Sequence, residues 1–310
     1  MPIFEQVEFT EIEFPSQGAI IRGKFYLPEN KKQPFPIVIM AHGFTATING
    51  MVAENYAQTF CKSGFAVLLY DHLNFGISDG FPRQEINKWL QARGYIDALN
   101  YVSTLAIIDK NKLAIWGDSM SGAEVLVIGS MDERVKAIIA QVPACGANPP
   151  PEDKNEKLYK SMVAYLKTGD IKGTPETTIG PLPVVSSDQI GTPSLLKPLT
   201  AFRWFIEYGG RHNTTWKNAA TYVDPNAVTI FHPGVCAKFI KAPVLMMIAK
   251  EDEMEEANAD VSRLVYDQIN SSKEIIEIDG GHFGLLHYPG TLFDNASMDQ
   301  NRFLKLYLQN

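Results

Sequence analysis

The stretch LAIWGDSMSGAEVLVIG, residues 113–129, runs from an apolar segment through a knot of small and polar residues into a second apolar segment. Small residues at Gly117, Ser121 and Gly122 suit a sharp turn in which the backbone passes close to its neighbours. Read as strand, turn and helix, the stretch lifts one side chain, that of Ser119, above a sheet edge. Gly- and Ser-rich loops between strands and helices are also common without any chemistry. A serine in such a turn becomes a nucleophile only if a base, an acid and a pair of amide donors come from elsewhere in the chain.

Working outward, the chain supplies a sheet for this turn to sit on. IVIMAHGF (37–44), FAVLLYDH (65–72), KLAIWG (112–117), VKAIIAQVPA (135–144), APVLMMIAKED (242–252) and KEIIEIDGGHF (273–283) are short apolar runs that end in polar or glycine residues. Continuous apolar runs of this length suit strands covered on both faces, as in a parallel sheet. Before them, VEFTEIEF and AIIRGKFYLP alternate around Pro15-Ser16-Gln17-Gly18, which reads as a β-hairpin. Between the runs, GMVAENYAQTFCKSG and NKWLQARGYIDALNYVSTL carry apolar residues at helical spacing, and SMDQNRFLKLYLQN reads as a closing amphipathic helix. Strands alternating with helices predict an α/β fold with a mostly parallel sheet and helices on both faces.

One segment breaks the rhythm. Residues 148–241 include Pro149-Pro150-Pro151, the loop-like GTPETTIGPLPVVSSDQIGTPS, and aromatic clusters in FRWFIEYGG and TTWKNAATYV. The segment is too long for a simple loop and is expected to be an inserted, partly helical cap or lid. The core is then residues 1–147 and 242–310.

In an open parallel sheet, ligands bind outside the carboxyl ends of the strands, so the polar residues that end the runs are the candidates for chemistry. These are His42-Gly43-Phe44, Asp71-His72, Ser119, Glu251-Asp252-Glu253 and Gly280-Gly281-His282. A serine hydroxyl needs an imidazole to take its proton during attack, and the imidazole needs a carboxylate to fix its tautomer. His282 follows the last strand on a Gly-Gly hinge and is the best base. His72, His212, His232 and His287 lack that context and read as surface or packing histidines. The acid is one of Glu251, Asp252 and Glu253, with Asp71 as the alternative. Asp71 reads better as a brace within its loop. The developing oxyanion needs two amides; position points to Met120, immediately after the serine, and Phe44, in the loop after the first parallel strand.

The residues HGF (42–44), YDHLNFGISDG (70–80), GDSMSG (117–122), Asp252 and GGHF (280–283) together resemble the α/β-hydrolase superfamily over roughly residues 18–148 and 240–308. The resemblance implies an α/β-hydrolase fold and a Ser119–Asp252–His282 triad. It selects Asp252 because the superfamily motif has an aspartate three residues after a small residue, here Ala249. It also makes His42 a loop-supporting residue. GFPRQEINKW and the place of the cap are similar to the dienelactone-hydrolase-like and Xaa-Pro-peptidase-like groups and to fungal polyketide acyltransferases. Ser121 stands where the motif GxSxG has its second glycine, and is read as a tolerated small residue. DHLN replaces the usual aromatic-arginine pair after Asp71. Ser119 in place of cysteine disfavours the dienelactone reaction.

The implied function is a serine hydrolase cleaving a carboxylic ester or thioester. Acyl transfer to an alcohol or amine is the alternative on the same residues, carbon–carbon hydrolysis uses the same machinery, and a non-catalytic ligand-binding protein is the different class. Aspartate would be needed at position 119 for dehalogenation. Cap aromatics, namely Phe202, Trp204, Phe205, Tyr208, Trp216 and Tyr222, suggest an apolar substrate group or serve only to pack the cap.

Bulk properties bound these readings. The 310 residues are 45% hydrophobic and 20% charged, with a formal charge of −7. That describes a globular protein and argues against a nucleic-acid surface, which needs a basic stripe. The longest basic run is Lys31-Lys32. Cys61, Cys145 and Cys236 are odd in number and widely spaced, and read as buried free thiols in a reducing compartment. Acids in MPIFEQVEFTEIEF, where a signal peptide would be basic, make cytoplasmic the expectation, and no apolar stretch is long enough to cross a bilayer. No cofactor or metal is expected; the acidic run KEDEMEEANAD reads as a helix start on a solvated face.

Overall fold

A computed structural model describes residues 7–29, 32–211, 213–225 and 229–309; Lys31 and His212 lie outside the described residues. The hairpin pairs β1 (Phe9–Ser16) with β2 (Ala19–Tyr26) through the Gln17-Gly18 turn. The apolar runs form β3 (Phe35–Ala41), β4 (Ala66–Tyr70), β6 (Ile108–Asp118), β7 (Val135–Gln141), β10 (Val244–Ala249) and β11 (Lys273–Ile278). With the hairpin they make one eight-stranded sheet in the order β1-β2-β4-β3-β6-β7-β10-β11. Pairing is antiparallel for β1/β2 and β2/β4 and parallel for all the other neighbours. Strand β11 closes one edge and is half-buried along most of its length, unlike the fully buried β4 and β10.

Alternating side chains of each central strand feed two cores. Val38, Met40, Val67, Leu69, Trp116 and Ile139 face α1 (Ala53–Lys62) and α8 (Thr291–Leu308). Ile37, Ile39, Leu68, Ile115, Ile138 and Met246 face α2 (Lys88–Val102), α3 (Ser119–Met131) and α7 (Ala259–Gln268). This is why the runs are apolar without a break: both faces of the pleat are covered. Helix α3 is buried from Met120 to Gly129, which explains why its sequence shows no polar face. Helix α2 starts where the Asn87 side chain accepts from the amides of Trp89 and Leu90, both at 3.1 Å.

Residues 148–241 hold α4 (Lys157–Thr168), β8 (Thr178–Leu182), α5 (Leu199–Gly209), β9 (Ala220–Val223) and α6 (Pro233–Cys236). Strands β8 and β9 join β5 (Glu85–Ile86), from the loop before α2, in a second sheet of order β5-β9-β8. At its far end Cys236, Ala237 and Ile240 are buried in the same core as α3 and α7.

Candidate active site

Strand β6 ends at Asp118 and α3 begins at Ser119, so the turn between them has no loop residues. Ser119 takes the left-handed φ of 54° that such a reversal demands of its pivot. Gly117 must be glycine here, because an added Cβ would lie 2.3 Å from the Ser121 carbonyl oxygen. The backbone of Gly43 approaches equally closely, its would-be Cβ lying 2.7 Å from the Asp118 oxygen and 2.8 Å from Ser119 Cβ. The loop after β3 is thereby pressed onto the serine turn, and Asp118 fastens it: Oδ1 accepts from the Gly43 amide at 3.1 Å.

Ser119 Oγ lies 3.0 Å from His282 Nε2, and His282 Nδ1 lies 2.7 Å from Asp252 Oδ2. A carboxylate can only accept, so the ring proton is on Nδ1 and Nε2 is free to accept from the serine hydroxyl. The second carboxylate oxygen of Asp252 accepts from the Met254 amide at 3.0 Å. The side chains of His282 and Asp252 are both 2% exposed, a setting in which these bonds are little weakened by water. Three residues from three strand ends, up to 163 positions apart, thus form one hydrogen-bonded chain.

That chain opens onto a cavity of about 530 Å³. Its wall includes Phe44, Ser119, Met120 and His282 from the sheet edge and Leu195, Leu196, Trp204, Phe205 and Tyr222 from residues 148–241. Of the other aromatics singled out in that segment, Trp216 stacks on Phe205 and donates from Nε1 to Thr45 Oγ1 at 3.2 Å, and Tyr208 packs on Trp204. Phe202 packs against the core. The Met120 amide lies in the first turn of α3, whose amides have no partner within the helix. Phe44 and Met120, the two residues expected to supply oxyanion amides, both border the cavity beside Ser119. The positive end of the α3 dipole adds to the same corner.

The remaining candidates sit elsewhere. Asp71 is buried and braces two loops, Oδ1 accepting from Ile48 N at 2.8 Å and Oδ2 from Ile77 N at 2.9 Å. Burial pushes its carboxyl up from the usual range, against those two amides. His42 Nε2 accepts from the Ala53 amide at 3.1 Å, leaving Nδ1 to face Asp118 Oδ1 at 3.3 Å. His232 caps α6, Nδ1 accepting from Gly234 N at 3.0 Å, and His287 is exposed. The three cysteines are free and buried, and burial pushes their thiols up, Cys61 to about 11 and Cys145 and Cys236 to about 12.

Two features escaped the sequence. The first lies beneath the serine turn, where Ser121 is fully buried and far from a mere substitute for glycine. Its Oγ is 2.7 Å from the His42 carbonyl, 2.9 Å from Glu124 Oε2 and 2.9 Å from His72 Nε2. The hydroxyl has one proton, and the carbonyl, which cannot donate, must take it. Glu124 and His72 Nε2 must then bring protons of their own, so the carboxyl is protonated and the imidazole carries a proton on Nε2. Both buried groups are shifted to match: burial holds the Glu124 carboxyl well above the carboxylate range and pushes His72 down to about 3.

The second feature is in the acidic run. Residues 251–258 hold no helix, α7 starts only at Ala259 with Asn258 as its cap, and Glu253 lies on the cavity wall. The expected helix start on a solvated face is displaced by several residues. A two-residue carboxylate pair, Asp252 and Glu253, instead divides its attention between the side chain and the backbone of His282. Among the described residues no group of three or more His, Cys, Asp or Glu side chains is arranged to hold a metal, and no helix is long and apolar enough to cross a membrane.

Residues 36–287 match the family model described as alpha/beta hydrolase fold. A thiohydrolase of Eupenicillium brefeldianum is 26% identical over 289 residues, 92% of this chain and 91% of its own. A polyketide transferase of Aspergillus fumigatus is 27% identical over 303 residues, 96% of this chain and 98% of its own. Among solved structures, an alpha/beta hydrolase from Penicillium sp. sh18 superposes with a TM-score of 0.75 at 22% identity, covering 98% of this chain and 100% of that one.

Proposed function

The chain belongs to the alpha/beta hydrolase fold family, and from that premise we propose that it is a serine hydrolase cleaving a carboxylic ester or thioester through an acyl-Ser119 intermediate. The unbroken Ser119–His282–Asp252 chain on the wall of an apolar cavity is the observation that carries this reading. Ser119 Oγ attacks the substrate carbonyl while His282 Nε2 takes its proton. The imidazolium that forms is stabilised by Asp252, which keeps the ring in place. The negative charge on the former carbonyl oxygen is met by the amides of Met120 and Phe44. A pair of preorganised donors of this kind lowers the barrier by about 3 kcal/mol or more. Collapse of the intermediate breaks the bond to the leaving oxygen or sulfur, which receives the proton from His282. Water then attacks the acyl-enzyme, again with His282 as base, and frees the acid and Ser119.

Residues 148–241 act in this reading as the roof of the pocket. Leu195, Leu196, Trp204 and Phe205 surround the acyl group and exclude water, and a cavity of about 530 Å³ accommodates an acyl group larger than acetyl. The similarity of the whole chain to a thiohydrolase supports a thioester as one substrate class. Its similarity, over nearly the same span, to a polyketide transferase favours a second reading, in which an alcohol or amine replaces water in deacylation.

Labelling with a fluorophosphonate probe tests the nucleophile: Ser119 in the native chain should react and Ser119→Ala should not. An unlabelled native protein would point to a ligand-binding role instead. A panel of p-nitrophenyl esters and CoA thioesters of rising chain length, with and without an added alcohol, then separates ester from thioester and hydrolysis from transfer.

A further inference from the structure

Helix α5 is joined to the turn that carries His282 along its whole length. Thr200, Trp204 and Tyr208 are four residues apart and so share one face of the helix. Thr200 Oγ1 donates to Glu253 Oε1, Trp204 Nε1 donates to the Leu286 carbonyl at 2.6 Å, and Tyr208 Oη accepts from the Tyr288 amide at 2.8 Å. The Trp204 ring also lies 5.4 Å from that of Phe283, which meets the His282 ring edge-on at 5.1 Å. Glu253 is the first link of this series and the one bonded to His282 itself. Its other oxygen, Oε2, accepts from the backbone amide of His282 at 2.8 Å. The approach is built in: a Cβ on Gly281 would lie 2.3 Å from Glu253 Oε2, so the glycine before His282 leaves room for this carboxylate and no side chain.

We infer that Glu253 is a positioning residue for His282, which clamps the histidine turn to α5 and makes that helix part of the support of the base. The inference rests on the proposed serine-hydrolase reading. Asp252 fixes the ring through Nδ1; Glu253 fixes the backbone from which the ring hangs. The same helix presents Trp204 and Phe205 to the cavity, so an acyl group pressing on those rings presses on the scaffold of the base.

The test compares Glu253→Ala, Glu253→Gln and Thr200→Val in ester hydrolysis and in the rate of fluorophosphonate labelling. Misplacing a catalytic group by a fraction of an ångström to an ångström costs up to about 100-fold. Glu253→Ala is therefore expected to lower kcat and the labelling rate about 10- to 100-fold with KM changed less than about threefold. Glutamine keeps an acceptor for the His282 amide and should recover most of the loss. Thr200→Val removes only the link to α5 from an exposed position; it should cost about threefold in kcat, and less in a Glu253→Ala background. Native protein that labels at Ser119, with a Glu253→Ala variant that labels at the same rate, would overturn the inference and leave the proposed function standing. Equal losses in the alanine and glutamine variants would also overturn it. A native Ser119 that never labels would remove the proposed function, and the inference with it.

Discussion

Changing Ser121 to alanine isolates the one hydroxyl that three buried polar groups share. The variant keeps Cβ and the helical conformation of α3, so backbone effects are small. It deprives the His42 carbonyl of its donor, the Glu124 carboxyl of its acceptor and His72 Nε2–H of its acceptor, at sites 0–4% exposed. Each buried group left without a partner costs about 1–3 kcal/mol. One of the three can be recovered, because His72 Nε2 already lies 3.6 Å from Glu124 Oε2 and can turn to it. Two losses at the low end give a destabilisation of about 2–3 kcal/mol. For a chain of this size that is a fall of roughly 3–5 °C in melting temperature. Urea denaturation followed by circular dichroism reads the free energy directly. Ser121→Gly, which would restore the glycine of the superfamily motif, is expected to lose at least as much. Should either variant unfold within 0.5 kcal/mol of the native chain, the buried network is not the hub the geometry describes and the assignment of its protons falls.

Replacing Asp252 with asparagine should leave the fold intact and lower kcat by about 10⁴, since an amide can hold the imidazole in the wrong tautomer; steady-state hydrolysis of a reactive ester measures it. Asp71→Asn is expected to act on stability instead, and a larger catalytic loss there than at Asp252 would move the acid to the earlier strand end. In pH-dependent unfolding, Glu124, whose carboxyl is raised in the folded chain, contributes stability that is full below the ordinary carboxyl range and is lost as pH rises above it. His72, pushed down to about 3, contributes stability that is full above an imidazole's usual value and is lost on acidification towards 3. Their slopes, each about 1.4 kcal/mol per pH unit, oppose one another between roughly pH 4.5 and 6.5, and only the Glu124 slope remains above that window. Glu124→Gln should therefore flatten the alkaline side of the profile, and an unchanged profile would mean the carboxyl is ionised. Trp204→Phe keeps an aromatic ring but removes the donor to Leu286; it should alter the ranking of esters by acyl length, while Trp216→Phe, away from the cavity wall, should shift all esters alike.

The sheet was legible because burial on both faces leaves a simple mark: six apolar runs, each ending in polar residues, became six neighbouring strands. From that, position alone brings Ser119, His282 and the 251–253 acids to one edge, and the coordinates place Asp252 rather than its neighbours against Nδ1. Ser121 was illegible as a hub because its partners, His42, His72 and Glu124, meet only when two loops and a helix have packed. Side-chain size was all the linear pattern offered. Glu253 was hidden for the opposite reason. An acidic run looks solvated whichever of its members turns inward, and the only local hint was the pair of glycines before His282. Strand β5, two residues long, carries no periodicity at all, so its pairing with β9 could not be foreseen.

That short strand sets the terms on which specificity can be traded between relatives. Exchanging residues 148–241 as a block looks like a clean way to transplant a substrate preference, since the block joins two neighbouring strands, leaving from the carboxyl end of β7 and returning to the amino end of β10. Yet β9 finishes its ladder on Glu85 and Ile86, and α5 grips Glu253, Leu286 and Tyr288, all of which stay behind in the recipient. A chimera built at the obvious seams inherits a foreign roof with none of the fittings it was shaped for. One that also carries over residues 85–86, 253 and 283–288 restores these pairings, and the bonds of Trp216 to Thr45, Ile171 to Asn87 and Leu166 to Arg93 add positions 45, 87 and 93 to the set.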